Sequence, residues 1–133
     1  MRYLLDASLL IDHSRGRDGV GALVERLFEE AEALYTCDVI VTEALSGGSE
    51  PERQVIAALV RALEYVSTSP DAAVWAAESR RARGASGPRS LGDAIIGGVA
   101  WSLGATVVTR NPRDFERQGV PVLGYGEPSG EDR

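Results

Sequence analysis

Short apolar runs alternate with longer amphipathic stretches along this chain. Arg2-Tyr3-Leu4-Leu5 is an apolar run that stops at Asp6, the pattern of a strand buried on both faces of a parallel sheet. Ser8 is placed to cap a helix to about Ser14, and Gly16 to Gly21 breaks the chain. The next helix turns Leu23, Leu27 and Ala31 inward and leaves Glu25, Glu29 and Glu32 wet. Leu34 to Cys37 reads as a second strand, followed by Asp38 as the N-cap of a helix carrying Glu43. The β-branched run Val39 to Thr42 competes with that helix and would extend the strand instead. Gly47-Gly48 closes the element either way.

Pro51 opens a helix with Val55, Leu59 and Leu63 on one face, and Tyr65-Val66 is a short strand. Pro70 starts a helix to about Arg83, and Gly84 to Pro88 is a loop. Ser90 is expected to cap a helix whose buried stripe is Leu91, Ile95, Val99 and Leu103, with Gly104 as its stop. Ala105 to Thr109 forms a strand, Pro112 begins a turn or short helix, and Val120 to Leu123 is the last strand. Strands alternating with helices predict an α/β/α sandwich with a central parallel sheet of four to five short strands. Residues 1–125 form one domain, and 126–133 are a polar tail expected to fray.

Composition narrows the chemistry. The 133 residues are 44% hydrophobic and 26% charged, as in a globular domain with a real core. One cysteine, Cys37, excludes an internal disulfide and a multi-cysteine zinc site, and places that residue in the core. One histidine, His13, excludes a two-histidine zinc motif and is expected to face solvent. The uncharged run Ala94 to Thr109 is about four residues short of a ~20-residue membrane span and contains three glycines. Asp6 and Asp12 interrupt the amino-terminal apolar run, which does not read as a signal peptide, so a cytoplasmic location is expected.

The net charge of −6 hides an uneven distribution. Residues 80–117 hold seven arginines against three acids, a local basic field on an acidic protein. That field is either a wet helix face plus a loop or a grip on phosphates, for which Arg80, Arg89, Arg110 and Arg113 are the candidates. Trp75 and Trp101 fall on helical stripes, as packing residues or as a stacking platform for RNA bases. Gly97-Gly98 inside a helix costs on the order of 1 kcal/mol per glycine, so a neighbouring element must approach closely there.

Ligands of open α/β sheets bind beyond the carboxyl ends of the strands. Asp6 stands at such an end, and Asp114 lies on the connection five residues past Thr109. Asp93 sits in what is expected to be the first turn of its helix, where the macrodipole favours an anion by about 0.3–1 kcal/mol. Glu43 is the one acid between Val39 and Leu45. Each alone has an ordinary structural explanation; together they would place four like charges in one pocket, which is costly without a cation. Mg²⁺ or Mn²⁺ suits oxygen ligands and can support phosphodiester hydrolysis without a second histidine.

Leu4-Leu5-Asp6-Ala7-Ser8, Glu43 in mid-helix, Asp93-Ala-Ile-Ile, and Gly104-Ala-Thr-Val-Val-Thr-Arg-Asn-Pro-Arg-Asp-Phe follow one another at intervals that resemble a PIN domain, and within that family the VapC toxins. The resemblance covers about residues 1–125. It implies Asp6, Glu43, Asp93 and Asp114 as candidate catalytic acids and Asp6, Asp93 and Asp114 as metal ligands, the first two primary and the last one that in such proteins often reaches the metal through water. Ser8, Thr109 and Asn111 would support the site, and Ala7 departs from the threonine common at that position. The implied activity is Mg²⁺- or Mn²⁺-dependent RNA cleavage by a metal-activated water, leaving 5′-phosphate and 3′-hydroxyl ends. A small VapB-like antitoxin and a homodimer are implied as partners, with Gly97-Gly98 and the amino-terminal helices as contact surfaces.

Two other functions compete. Phosphoryl transfer onto Asp6 would want a second aspartate where Ser8 stands, or a late lysine, and the chain has no lysine. A catalytically inactive PIN-like module that binds RNA or protein would have no need of four clustered acids.

Overall fold

The computed structural model describes residues 1–126 and, within them, every side chain except that of Arg89. Among these residues five parallel strands form the sheet: β1 (Arg2–Leu5), β2 (Ala33–Cys37), β3 (Glu64–Val66), β4 (Thr106–Thr109) and β5 (Val122–Gly124), in the order β3-β2-β1-β4-β5. The chain steps outward from β1 through β2 to β3, then returns to place β4 on the other side of β1. The β1/β4 boundary is therefore the topological switch point, where a crevice opens beyond the strand ends. Leu4 is paired with Tyr35 of β2 and Val107 of β4, and Leu4, Leu5, Val107 and Val108 are fully buried. Their continuous burial is what a strand covered on both faces requires.

Among the described residues seven helices connect and cover the strands: α1 (Ala7–Ser14), α2 (Val20–Glu30), α3 (Asp38–Leu45), α4 (Glu50–Arg61), α5 (Pro70–Arg83), α6 (Pro88–Leu103) and α7 (Arg113–Glu116). α1 packs against α2, α3 and α4, while α5 pairs with α6, and α6 also meets α7. The expected α/β/α architecture is the observed one. The polar tail expected over 126–133 lies, beyond Gly126, outside the described residues.

Several local expectations are corrected. Asp6, extended at φ −69° and ψ 160°, occupies the N-cap position of α1, so Ser8 lies inside the first turn. α2 begins at Val20, which makes Gly21 helical, and it ends before Ala31. At α3 the helix prevails over the β-branched run. Asp38 is its first residue rather than its cap, and the carboxylate accepts from the Thr68 main-chain N–H at 3.2 Å and hydroxyl at 2.8 Å. That anchor, with Ile40 fully buried, overrides local propensity. On α4, Val55 is exposed and Ile56 and Leu59 are buried. A strict i+4 ladder drifts about 40° around a helix per step, and Val55 is one step too far.

α6 starts two residues before Ser90, whose hydroxyl donates to the Ser86 and Gly87 carbonyls instead of capping. Leu91 is correspondingly exposed and the buried face is Ala94, Ile96, Val99 and Ala100. The last strand slips to Val122–Gly124 because Pro121 has no N–H, although its carbonyl still accepts from Val107 at 3.0 Å. His13 is half-buried and lines a shallow recess with Val24 and Phe28.

The Gly97-Gly98 pair faces inward, not toward a second copy. A Cβ at Gly98 would overlap the Ala72 carbonyl oxygen of α5, and one at Gly97 would overlap the Gln118 side chain. Trp75 and Trp101 stack on each other with centroids 6.1 Å apart and planes 16° apart.

One capping device escaped the sequence reading. Ser49 accepts from the Glu52 N–H at 3.3 Å while Glu52 Oε1 accepts from the Ser49 N–H at 2.8 Å, a reciprocal box that starts α4. Ser49→Ala should lower stability by about 1 kcal/mol, measured as a fall in the urea midpoint at constant slope.

Candidate active site

Asp6 follows β1 directly and stays in register with β4, its N–H donating to the Val108 carbonyl at 3.0 Å. The carboxylate is buried. Thr109, the last residue of β4, donates its hydroxyl to Asp6 Oδ2 at 2.8 Å, and Ser8 Oγ lies 3.3 Å from the same oxygen. Each hydroxyl is itself held from behind: the Arg110 N–H donates to Ser8 Oγ and the Asn111 N–H to Thr109 Oγ1, both at 3.1 Å. A hydroxyl that accepts from an amide turns its own proton elsewhere, here toward Asp6. Asn111 thus supports the site through its main chain. Burial pushes the Asp6 carboxyl up, against the lowering effect of Thr109, the Ala7 N–H and Ser8.

Asp93 approaches from α6 and Asp114 from the first turn of α7. Because α6 begins at Pro88, Asp93 lies in its second turn, and the expected macrodipole benefit does not apply. Gln118 holds the Asp93 carbonyl from the far side through Nε2 at 3.1 Å. Glu43 is exposed at the rim, and its carboxylate rests over Gly92, where a Cβ would come within 3.0 Å of Oε2. A side chain at position 92 would crowd that carboxylate. The Asp93 carboxyl is pushed up to about 7, first by burial, then by the charges of Asp6 and Asp114, a hydrogen bond with Asp114, and the charge of Glu43. One aspartate therefore senses the other three expected acids. They come from four separate elements and meet at the switch point.

Among the described residues, no three His, Cys, Asp or Glu side chains already close on a common point as a metal cage. The donor set nevertheless fits a hard divalent cation. Mg²⁺ is usually bound by one or two carboxylates and keeps several waters, and it would relieve the repulsion that raises Asp93.

A PIN domain family model matches residues 3–120. The chain belongs to the PIN domain family. The ribonuclease VapC19 of Mycobacterium tuberculosis is 27% identical over 115 residues, covering 84% of this chain and 90% of that protein. Among solved structures, VapBC2 from Rickettsia felis bound to a promoter DNA fragment is similar at a TM-score of 0.78 and 18% identity, covering 95% of this chain and 100% of that one. A toxin–antitoxin complex from Klebsiella pneumoniae is similar at 0.75 and 23%, covering 95% and 99%.

The expected phosphate-binding arginines of this PIN domain fall in different places. Arg113 is exposed beside Asp114. Arg80 turns back on the protein, its Nη2 donating to the Gly87 carbonyl at 3.2 Å and lying 3.3 Å from Ser90 Oγ, so it ties α5 to the start of α6. The Arg110 guanidinium pairs with Asp12 Oδ1 at 3.0 Å and is largely covered. The Arg89 side chain lies outside the described residues. Cys37 is fully buried and its thiol is pushed up to about 11 by that burial, which keeps it inert as expected of a core residue.

Asp12 and Tyr125 were missed by the sequence reading. Asp12 is almost fully buried; besides Arg110 it accepts from the Tyr125 hydroxyl at 2.8 Å and lies 3.5 Å from Arg17 Nη1. Its signal was available: it shares a helix side with Ser8 at i−4 and Leu9 at i−3, and an acid on a buried face calls for a partner.

Proposed function

We propose that this PIN domain is a VapC-type endoribonuclease toxin that depends on Mg²⁺ or Mn²⁺ and is restrained by a cognate VapB-like antitoxin. The observation that carries the reading is the convergence of Asp6, Glu43, Asp93 and Asp114 from four elements on one crevice. The likeness to the VapC19 ribonuclease over most of both chains supports it, as do folds shared with toxin–antitoxin complexes. Asp6 and Asp93 would hold the cation, with Asp114 beside them; a bound divalent ion supplies charge for the phosphate oxygens and lowers the pKa of water. The chain's own part is positional. Thr109 and Ser8 donate to Asp6 and fix its carboxyl group, Gln118 holds the backbone at Asp93, and Glu43 at the rim can take up a proton released as water attacks. Exposed Arg113 offers a fork for a substrate phosphate.

Loops of structured tRNA or rRNA are the substrates that suit such a crevice, since unstacked bases can be read and helical ones largely cannot. The antitoxin and a second copy of the chain are the protein partners proposed; the location proposed is the cytoplasm. Among the described residues no helix is long and apolar enough to cross a membrane.

Incubation of the purified chain with total cellular RNA in Mn²⁺ or Mg²⁺ should yield a few discrete new 5′-phosphate ends, all lost in chelator. Absence of cleavage from a preparation shown by mass spectrometry to carry no small co-purifying protein would sink the reading.

A further inference from the structure

The Asp12 cluster is joined to Asp6 by an unbroken series of bonds. Asp12 stands near the end of α1 and receives groups from three other parts of the chain: Arg17 after α1, Arg110 after β4, and Tyr125 after β5. Arg110 faces two ways. Its guanidinium is held by Asp12, while its main-chain N–H donates to Ser8 Oγ, one turn before Asp12 on the same helix. Ser8 in turn lies on Asp6 Oδ2 and 3.3 Å from Thr109 Oγ1. The Tyr125 N–H also donates to the Thr109 carbonyl at 3.3 Å, so both ends of Tyr125 bind this assembly.

A buried ion pair is a poor source of stability, because desolvation offsets most of the attraction and apolar replacements are often equally stable. Its better use is to specify one arrangement. Here the arrangement specified is the seating of the β4–α7 connection on α1, which decides where the Arg110 and Asn111 N–H groups point. A shift of half an ångström there would let the Ser8 and Thr109 hydroxyls rotate away from Asp6.

We propose that Asp12 is a positioning residue of this site: by gripping Arg110 and Tyr125 it holds the connection after β4 against α1, so that the Ser8 and Thr109 hydroxyls stay aimed at Asp6. The inference rests on the nuclease reading and extends it to residues outside the acid cluster. It also reassigns Arg110 from substrate contact to internal clamp.

Mn²⁺ binding, read from the electron paramagnetic resonance signal of the free ion, tests it without requiring turnover. Bulk tRNA cleavage at rising RNA concentration is measured in parallel. Asp12→Asn, Asp12→Ala, Arg110→Ala and Arg110→Lys should weaken Mn²⁺ binding, the alanine variants by ~10–100-fold and the others less. Turnover at saturating RNA should fall by a similar factor with KM changed less than about twofold. The Asp12→Ala/Arg110→Ala double variant should lose little more than either single one, because the two residues act as one clamp. If Asp12→Ala does not fold, the isosteric Asp12→Asn, which keeps an acceptor for Tyr125, carries the test.

Unchanged Mn²⁺ affinity in the Asp12 variants overturns the proposal, whatever happens to their melting temperature. So does a raised KM and a shallower salt dependence in Arg110→Ala with Mn²⁺ affinity intact, which would make Arg110 a phosphate contact. A parent protein that binds no Mn²⁺ and cuts no RNA overturns the nuclease reading, and this inference with it. An active parent with indistinguishable variants overturns this inference alone.

Discussion

Asp93→Asn should abolish RNA cleavage and at the same time make the metal-free protein more stable. The loss of activity is expected to be at least ~100-fold, since even groups that only support a metal ligand are worth 10–100-fold. The gain in stability follows from burial of the charge first and from repulsion second. Burial and the charges of Asp6, Asp114 and Glu43 push the Asp93 carboxyl up to about 7, whereas in the unfolded chain it titrates in the ordinary aspartate range. Between those two values the folded protein holds a proton that the unfolded chain has released, so stability falls as pH rises across that window and stays low above it. The contribution is fully present near pH 4 and lost by about pH 8. Asparagine imitates the protonated carboxyl at every pH, and its amide can replace the proton shared with Asp114.

With allowance for coupling between the acids, the variant should be more stable at pH 8 by on the order of 2 kcal/mol, or roughly 5–10 °C in melting temperature. The parent in chelator should gain stability as pH falls from 8 to 5, and the variant should show a much flatter profile. Added Mn²⁺ should raise the melting temperature of the parent and have little effect on the variant. An Asp93→Asn protein that cleaves within twofold of the parent would place the chemistry elsewhere. Equal pH profiles would show that the four acids do not share a field.

Gly98→Ala should destabilise the protein strongly for a single added methyl. In an open helix the change from glycine to alanine gains about 1 kcal/mol. At position 98 the added carbon would overlap the Ala72 carbonyl oxygen and lie 3.1 Å from its carbonyl carbon. The obstacle is backbone of a packed helix, which cannot rotate aside as a side chain can. Separating α5 from α6 enough to admit the methyl should cost about 1–3 kcal/mol beyond the lost propensity gain, and Gly98→Leu considerably more. The displacement acts on the helix that carries Asp93, so activity should fall along with stability.

Gly21 is the matched control. It is helical, its φ is not positive, and a Cβ there meets nothing within 4 Å, so Gly21→Ala should stabilise by up to about 1 kcal/mol. Urea denaturation of both variants decides the matter. A Gly98→Ala protein as stable as the parent would mean that α5 and α6 are less closely seated than the geometry requires.

Asp6 and Asp114 drew notice in the sequence at element boundaries and Glu43 within an apolar stretch, which are local signals, while the four acids stood out as a set only through the resemblance to PIN domains. Arg80 and Arg110 were legible as charges but not as to what they face. Arg110 finds its carboxylate 98 positions away, and nothing near it in sequence marks Asp12 as its partner. Asp12 itself was passed over as a break in an apolar run, although its place on the buried side of α1 was written in the 3.6-residue period.

What the sequence determined by itself is the order of the elements and, α3 apart, their type, since hydrophobic period, glycine and proline act within a few residues. The tertiary structure decided the rest. The α3 helix prevailed over a β-branched run because Thr68 supplied partners for Asp38 and the core took Ile40. The starts of α1 and α6 moved because Asp6 took the cap position of one and Gly87 that of the other. The elevated Asp93 carboxyl, the aim of the Ser8 and Thr109 hydroxyls, and the clamp at Asp12 exist only once β4 has crossed to lie beside β1. Electrostatic repulsion and hydrogen bonds depend on distance in space, and that crossing brings together groups about a hundred positions apart in the chain.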